Sequence, residues 1–346
     1  MKKLSWLLLL FLSYISAFNQ IPKEIFEFEF EGIKMHGVLN VPENQAPKGI
    51  VLIVHGSGQT NAVAQNWYNK VRAKINESGY ATYMWDKKGC GKSEGTFDYN
   101  QPVQNSAEEV IAAIEALQAD KIPGSETIGL WGISRAGWIN PLVINQYEGI
   151  RFWISVSGVD DKENFGYLLS QNLRINGHPK EHIELLLEEW TRGNEIAFHG
   201  GSYESYLEAT VNLRKNPFII RFNNGGGNEA GYYEWQKQFM TQGWDSVTRL
   251  PMYIEDFEKA LLGVDCPVLA LFGEKDMNVD WRKTKALYER TLGSSTDLSI
   301  QSFPNTNHNL FLCKTGGFYE IQDDKLGWNR SQPFLDAMGE WLHKLD

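Results

Sequence analysis

The sequence predicts an α/β protein in which a mostly parallel sheet is covered by helices on both faces. Short runs such as residues 49–54 and 80–85 are apolar without alternation, which is typical of strands buried on both faces. Segments with apolar residues at helical spacing separate these runs. Because parallel strands need a long crossover between them, this alternation of strand and helix favours a parallel sheet.

The predicted elements follow one another along the chain. Residues 25–41 alternate apolar and polar side chains, which predicts two half-buried antiparallel strands joined near Glu31-Gly32. Helix-like segments occupy residues 67–78, 104–119 and 334–345, and another helix follows residue 136. The remaining predicted strands are 49–54, 80–85, 127–131, 152–156, 267–272 and 298–303.

Residues 159–263 interrupt the alternation of strand and helix. This segment offers helical candidates at 182–191, 203–213 and 229–241, and it contains fifteen aromatic residues. Those aromatics either fill the core of an ordinary helical subdomain or form apolar walls over a pocket at the strand ends. Because of where the segment is inserted, we predict a helical cap.

Composition argues against several kinds of partner. A net charge of −10 predicts no nucleic-acid partner, because phosphate binding needs a basic face. Gly91-Lys92-Ser93 ends like a P-loop, but the first glycine of that motif would fall on Asp86, so nucleotide binding is not expected. The three cysteines are too scattered for a disulfide framework or a zinc site. We predict idle thiols, with one bridge as the alternative, and no metal or organic cofactor.

The amino terminus has the pattern of a secretory signal peptide. Two lysines precede the almost wholly apolar residues 4–12, and the small residues Ser16 and Ala17 follow. That apolar stretch is too short to cross a bilayer comfortably, so no stable membrane span is expected. We predict residues 1–17 as the signal peptide and a periplasmic or extracellular location.

Gly132-Ile133-Ser134-Arg135-Ala136-Gly137 is a candidate nucleophile elbow, placed between a predicted strand and a predicted helix. Such a turn presents one side chain at the top of a sheet only if the residues two positions either way are very small. Gly132 and Ala136 meet that condition, and Gly137 would let the helix pack closely. Ser134 is therefore the candidate nucleophile.

A serine hydroxyl needs a base, usually His, and that His needs an acid to hold its tautomer. His308 directly follows the last predicted strand, and Asp276 follows the strand before it. The chain order is then Ser, Asp, His. Because ligands in open α/β sheets bind outside the carboxyl ends of the strands, these positions point to one site. Asp280 and Glu274 remain alternative acids, and Asp160 is a more distant one.

Acyl transfer also needs hydrogen-bond donors for the developing oxyanion. The loop His55-Gly56-Ser57-Gly58 follows a predicted strand and could expose its backbone N–H groups. We predict the backbone N–H groups of Ser57 and Arg135 as the oxyanion hole, with Gly58 as a substitute for Ser57. His55 is expected to shape the loop rather than to move protons.

Taken together, these motifs resemble those of α/β-hydrolases of the serine esterase and peptidase type. The similarity covers roughly residues 25–158 and 264–346. It rests on the order and spacing of His55-Gly-Ser-Gly, Asp86-Lys-Lys-Gly-Cys-Gly-Lys-Ser93, the Gly132 elbow, Phe272-Gly-Glu-Lys-Asp276 and His308.

The resemblance implies an α/β-hydrolase core at residues 18–158 and 264–346, with a helical cap at 159–263. It also implies a triad of Ser134, His308 and Asp276. Two departures are mild: Lys88 stands where relatives often have Arg, and Ala136 stands where they often have Gly. Neither removes a catalytic group, but both weaken a closer subfamily assignment.

The expected function is that of a secreted serine hydrolase acting on a small-molecule ester or a related acyl bond. A serine exopeptidase or oligopeptidase is the alternative within the same chemistry, because the same triad cleaves amides. A ligand-binding protein built on a hydrolase scaffold is the alternative from another class, since fold does not imply function.

Overall fold

The computed structural model describes residues 23–161, 164–223 and 227–345. The predicted signal peptide, residues 1–17, lies outside these ranges. The strands are β1 (Lys23–Phe30), β2 (Ile33–Asn40), β3 (Ile50–Val54), β4 (Ala81–Trp85), β5 (Ile128–Ile133), β6 (Ile150–Val156), β7 (Gly243–Asp245), β8 (Leu250–Met252), β9 (Val268–Gly273) and β10 (Leu298–Phe303).

Helices lie between most of these strands, and one short 3₁₀ helix spans Leu213–Lys215. The α-helices are α1 (Asn69–Glu77), α2 (Val103–Ala119), α3 (Ala136–Gln146), α4 (Phe165–Ile175), α5 (Lys180–Phe198), α6 (Tyr203–Ala209), α7 (Pro217–Phe222), α8 (Glu229–Phe239), α9 (Phe257–Leu262), α10 (Trp281–Arg290), α11 (Leu292–Ser295), α12 (Glu320–Asp323) and α13 (Gln332–His343).

Eight strands form one sheet in the order β1-β2-β4-β3-β5-β6-β9-β10. The β1–β2 and β2–β4 pairs are antiparallel, and every other pair in this sheet is parallel. Glu31 and Gly32 join β1 to β2 with φ values of 53° and 71°, as a tight hairpin turn requires. The predicted α/β class and mostly parallel sheet are confirmed.

Strand β3 shows why the strands of the sheet centre read as continuous apolar runs. Ile50, Leu52 and Val54 pack into the core layer that contains α2 and α3. Val51 and Ile53 pack into the layer on the other face, with α1 and α13. Each face of the strand is covered by helices, so neither set of alternate positions is polar.

The sheet order also places a crevice at the carboxyl end of β3. The chain goes from β3 to its neighbour β4 and then returns to the other side of β3 as β5. At such a switch point the following loops diverge and leave room for a ligand. The loops after β3 and β5 are the ones that carry the predicted oxyanion loop and the predicted nucleophile.

The segment between β6 and β9 is mainly helical, with α4 to α9 in its described part. It also contains a short antiparallel pair, β7 and β8, which the sequence pattern does not predict because each strand has only three residues. Many of its aromatics pack on one another around Tyr232 and Phe239. Part of the aromatic content therefore fills the segment's own core.

Polar contacts tie this segment to the rest of the fold. The Arg221 guanidinium of α7 pairs with Asp323 of α12 at 2.7 Å. The Phe318 N–H donates to the Asn172 side chain of α4 at 2.7 Å. These contacts hold α4 and α7 against the region that follows β10. Over the described ranges, none of the helices is both long and apolar enough to cross a bilayer.

Candidate active site

Ser134 lies at a sharp turn between β5 and α3. Its φ of 56° is in the left-handed region, which non-glycine residues rarely adopt and which often marks functional sites. The Ser134 N–H donates to the Val156 carbonyl at 3.0 Å, and the Ser134 carbonyl accepts from the Gly137 N–H at 2.7 Å. These bonds hold the strained conformation, and the Ser134 side chain remains half-buried.

The small neighbours of Ser134 are required by close packing inside the elbow. A Cβ atom built on Gly132 would lie 2.4 Å from Asn140 Nδ2 and 2.7 Å from Ala136 Cβ. A Cβ on Gly137 would lie 3.0 Å from the Val159 nitrogen. Larger residues at these positions would push α3 away from the strands and change the direction of the Ser134 side chain.

We expect Gly132→Ala to lower the free energy of unfolding by about 1–3 kcal/mol, the usual effect of overpacking. Gly231→Ala in α8 is the matched control, because the nearest atom to its Cβ is Asn228 Oδ1 at 3.4 Å. The control should be neutral or stabilising by up to ~1 kcal/mol. Urea unfolding measures both, and a Gly132→Ala midpoint equal to that of the wild type would contradict the packing explanation.

A second serine with positive φ lies at the end of the next strand. Ser157 follows β6 with a φ of 45°, but only 1% of it is exposed. Its hydroxyl has no hydrogen-bond partner within the described part of the chain. Because Ser157 is closed off from solvent and Ser134 is not, Ser134 is the serine that a substrate could reach.

His308 and Asp276 are brought together by the structure. His308 Nδ1 lies 2.7 Å from Asp276 Oδ2, and both side chains are buried. Because a carboxylate accepts, Nδ1 carries the proton and Nε2 is left with a lone pair for proton transfer. The other oxygen, Asp276 Oδ1, accepts from the N–H groups of Asn278 at 2.8 Å and Val279 at 2.9 Å, which fixes the carboxylate plane.

The loops that carry these residues are joined laterally by backbone hydrogen bonds. Each bond links the end of one parallel strand to the end of its neighbour, so the site lies on a rigid edge of the sheet. The bonds are Ser134 N–H to Val156 O at 3.0 Å, Ser157 N–H to Leu271 O at 2.8 Å and Glu274 N–H to Phe303 O at 3.0 Å.

The alternative acids are placed differently from Asp276. Glu274 accepts from the Ser302 hydroxyl at 2.8 Å. Asp280 occupies the N-cap position of α10, and the Asp160 carbonyl accepts from the Trp138 indole at 2.7 Å. The structure thus pairs Asp276, rather than one of these carboxylates, with His308.

The predicted oxyanion loop lies directly against the elbow. A Cβ built on Gly56 would be 3.2 Å from both the Ile133 carbonyl oxygen and Ser134 Cβ. Gly58 has a φ of 87° with open space around it, and Ser57 is exposed. Among the hydrogen bonds of the described residues, none uses the backbone N–H of Ser57 or of Arg135. Both remain free to bind a substrate oxygen.

The side chain of Arg135 points away from this role and into the protein. Its guanidinium donates to Ser106 Oγ at 3.1 Å and to the Gln101 carbonyl. Burial lowers the pKa of Arg135. Arg135 therefore anchors the elbow to α2 and to the loop before it, which the sequence reasoning did not identify.

His55 is fully enclosed beside the predicted oxyanion loop. Its Nε2 donates to the Trp85 carbonyl at 2.7 Å, and its Nδ1 has no partner among the described groups. Burial, together with the Lys87 ammonium, lowers the pKa of His55 to about 3. His55 is thus a neutral ring that joins β3 to β4.

Lys87 is a site residue that sequence reasoning missed. Its Nζ donates to the backbone carbonyls of Gly56 and of Gly58, the latter at 3.0 Å. Burial, with the nearby Arg135, lowers the pKa of Lys87 to about 7. The available signal was its position, because Lys87 follows β4, the neighbour of β3 at the switch point of the sheet. A lysine in a glycine-rich turn, however, is usually solvated.

The turn that resembles a P-loop already contains an anion. Asp86 Oδ1 accepts from the Val63 N–H at 3.0 Å, and Asp86 Oδ2 accepts from the Lys92 N–H at 3.2 Å. A Cβ on Gly91 would lie 2.0 Å from Asp86 Oδ2. The carboxylate occupies the position where a phosphate would need backbone donors.

The three cysteines are buried and unpaired. Burial raises the pKa of Cys266 to about 12 and that of Cys313 to about 11, so both thiols stay protonated at neutral pH. Within the described ranges, no cluster of three His, Cys, Asp or Glu side chains could hold a metal ion.

Two family models match separate parts of the chain. Residues 45–165 match the serine aminopeptidase S33 model, and residues 254–339 match the dienelactone hydrolase family model. The first match contains the predicted oxyanion loop and the elbow, and the second contains Asp276 and His308. Residues 166–253, most of the segment predicted as a cap, lie outside both matches.

Individual relatives are distant. The thiohydrolase aneE of Aspergillus aculeatus is 27% identical over 114 residues, which is 32% of this chain and 34% of that protein. The chain spans about a third of the length of the curated relatives it matches.

Solved structures resemble the chain over nearly its whole length. A carboxyl esterase from Bacillus coagulans has a TM-score of 0.55 at 16% identity, covering 94% of this chain and 99% of that one. The proline iminopeptidase of Mycobacterium smegmatis has a TM-score of 0.54 at 17% identity, covering 93% and 98%. At such low identity these likenesses show a shared fold and no more.

Proposed function

Because this chain belongs to the α/β-hydrolase superfamily, we propose that it is a serine hydrolase that cleaves a carboxylic ester or a related acyl bond. The observation that carries the proposal is the common edge of the sheet on which strained Ser134 and the His308–Asp276 pair lie. Hydrogen bonds between strand ends fix that edge.

In the proposed reaction, His308 Nε2 takes the proton of the Ser134 hydroxyl while Oγ attacks the substrate carbonyl. The bond to the leaving group breaks as His308 returns the proton to it, and an acyl-enzyme remains. Water then attacks the acyl carbon, again with His308 as the base, which releases the acid and restores Ser134. Asp276 keeps the His308 ring in the required tautomer and stabilises its protonated form.

The backbone N–H groups of Ser57 and Arg135 would bind the developing oxyanion. Arg135 follows Ser134 in the chain, and Gly56, the neighbour of Ser57, packs against Ser134. Neither N–H group has another protein acceptor among the described residues, as such donors require. Each donor of this kind contributes roughly 2.7–4 kcal/mol to transition-state stabilisation in well-studied hydrolases.

We propose that residues 159–263 act as a cap over this edge. The Tyr167 hydroxyl of α4 donates to the Asp276 carbonyl at 3.3 Å. Tyr253 stacks on Trp138 at a centroid distance of 4.5 Å, next to the elbow helix. Aromatic side chains of this segment therefore reach the Asp276 loop and the helix after the elbow, where they would supply apolar walls for an acyl group.

Secretion is also part of the proposal, on the pattern of residues 1–17. A small-molecule ester is the favoured substrate class, and a peptide bond is the alternative for the same three side chains. Hydrolysis rates of short p-nitrophenyl esters, set against aminoacyl and prolyl anilides, decide between the two.

Covalent labelling tests the proposed nucleophile. A fluorophosphonate probe should modify the wild-type protein at Ser134 and should not modify Ser134→Ala, because the activated oxygen is gone. Ser157→Ala is the matched control and should be labelled like the wild type, since Ser157 is buried at the neighbouring strand end. Equal labelling of the wild type and Ser134→Ala would refute the proposal, and so would an unlabelled wild type that binds a ligand without turnover.

A further inference from the structure

We propose that Lys87 is a positioning residue for the oxyanion hole, acting through the backbone carbonyls of Gly56 and Gly58. This inference rests on the proposed serine-hydrolase function. Lys87 would not touch the substrate. It would set the direction of the N–H group that does.

Lys87 forms three hydrogen bonds with the proposed oxyanion loop. Its ammonium donates to the carbonyls of Gly56 and Gly58. Its backbone N–H donates to Thr60 Oγ1 at 3.1 Å, at the far end of the same loop. One residue after β4 thus spans the whole loop that follows the neighbouring strand β3.

Because of the geometry of the peptide unit, the hydrogen bond to the Gly56 carbonyl also sets the direction of the Ser57 N–H group. In a trans peptide the C=O of one residue and the N–H of the next lie in one plane and point in opposite directions. Because the Gly56 carbonyl points at the Lys87 ammonium, the Ser57 N–H points away from it. A Cβ built on Gly56 would lie 3.2 Å from Ser134 Cβ, from which we infer that this N–H lies close to the proposed nucleophile.

The loop needs such an external support because its glycines provide little of their own. Gly58 has a φ of 87°, and a Cβ at that position would meet no atom within 4 Å. Glycine populates many backbone conformations at similar energy. A preorganised oxyanion hole, in contrast, must hold its donors in place before the reaction begins.

The surroundings of Lys87 bring its pKa into the neutral range. Burial and the Arg135 guanidinium lower its pKa to about 7, while Glu109 of α2 and Cys90 of the same turn act in the opposite direction. The Glu109 carboxylate is held by the Trp85 indole at 2.6 Å and by the Gln101 amide at 3.1 Å.

Deprotonation of Lys87 near neutral pH should therefore weaken its hydrogen bonds to the carbonyls of Gly56 and Gly58. With its pKa at about 7, Lys87 binds the two carbonyls as an ammonium below that pH. Above that pH the neutral amine is a weaker donor, since charge-assisted hydrogen bonds are the stronger ones. The turnover number should accordingly fall as the pH rises through this range.

The test compares Lys87→Met, Lys87→Arg and the control Lys92→Met, whose side chain is exposed in the same turn. We expect Lys87→Met to lower kcat by about 10- to 100-fold with little change in KM. This loss is smaller than that caused by removing an oxyanion-hole donor itself, because the donor is only misaligned. Lys87→Arg should restore much of the rate and should lack the alkaline fall, because guanidinium stays charged. Lys92→Met should match the wild type in kcat and pH profile.

Failure of this proposal is distinguishable from failure of the proposed function. An unchanged kcat in a folded Lys87→Met variant whose Ser134 is still labelled would overturn the role of Lys87 alone. Loss of labelling and of hydrolysis in the wild type would overturn both. If Lys87→Met does not fold, Lys87→Gln takes its place, because it keeps a donor without the charge, and an unchanged kcat in that variant would overturn the proposal.

Discussion

His308→Ala is expected to lower kcat by about 10⁴- to 10⁶-fold, and adding Ser134→Ala should cost almost nothing further. The physical reason is that the two side chains act as one unit. Without His308 the hydroxyl of Ser134 keeps its proton and is a weak nucleophile. Without Ser134 the imidazole has no oxygen to activate, so the second deletion removes a group that no longer contributes.

Single-turnover kinetics with p-nitrophenyl butyrate on both single variants and the double variant measure this effect. His343→Ala is the matched control, because His343 is exposed at the end of α13, and its kcat should equal that of the wild type. If the fold-decreases in rate of the two single variants instead multiply in the double variant, Ser134 and His308 do not act in one reaction. Thermal unfolding of each variant separates loss of chemistry from loss of fold.

Asp276→Asn is expected to lower kcat by about 10⁴-fold with little change in the fold. The amide oxygen of the substituted side chain can still accept from the N–H groups of Asn278 and Val279, as Asp276 Oδ1 does. The amide nitrogen would then face His308 Nδ1 and donate to it. That reverses the tautomer and places the proton on Nε2, where the lone pair is needed.

Asp280→Asn and Glu274→Gln are the matched controls for the acid. Both carboxylates lie in the same loop region, but Glu274 binds Ser302, and Asp280 sits at the start of α10. Their kcat values should stay within about threefold of the wild type, the range of a weak electrostatic perturbation. A larger loss in either control than in Asp276→Asn would show that the acid is assigned wrongly.

Local patterns predicted much of the scaffold. The continuous apolar runs are strands buried on both faces, as β3 demonstrates, and the period of two before them is the β1–β2 hairpin. The elbow could also be predicted, because the need for small residues at positions 132 and 136 arises within the turn and the start of the helix that follows it. Such features depend on neighbours in the chain, so the chain alone specifies them.

Contacts between residues far apart in the chain were harder to predict from the sequence. In the sequence, three carboxylates of one loop region are candidates for the acid: Asp276, Glu274 and Asp280. In the structure, the turn that gives Asp276 two backbone donors also directs its other oxygen to His308. The β7–β8 pair was missed because three-residue strands carry no period.

The sequence by itself determined the order of the eight strands of the large sheet, several of the helices between them, the elbow and the small set of groups from which a triad could be drawn. Tertiary structure decided which acid meets His308, why Ser134 rather than Ser157 is open to solvent, and that Lys87 holds the loop of Gly56 and Gly58. The reason is that pairing and burial depend on the sheet order, which brings together residues some 30 positions or more apart. Spacing along the chain does not encode those distances.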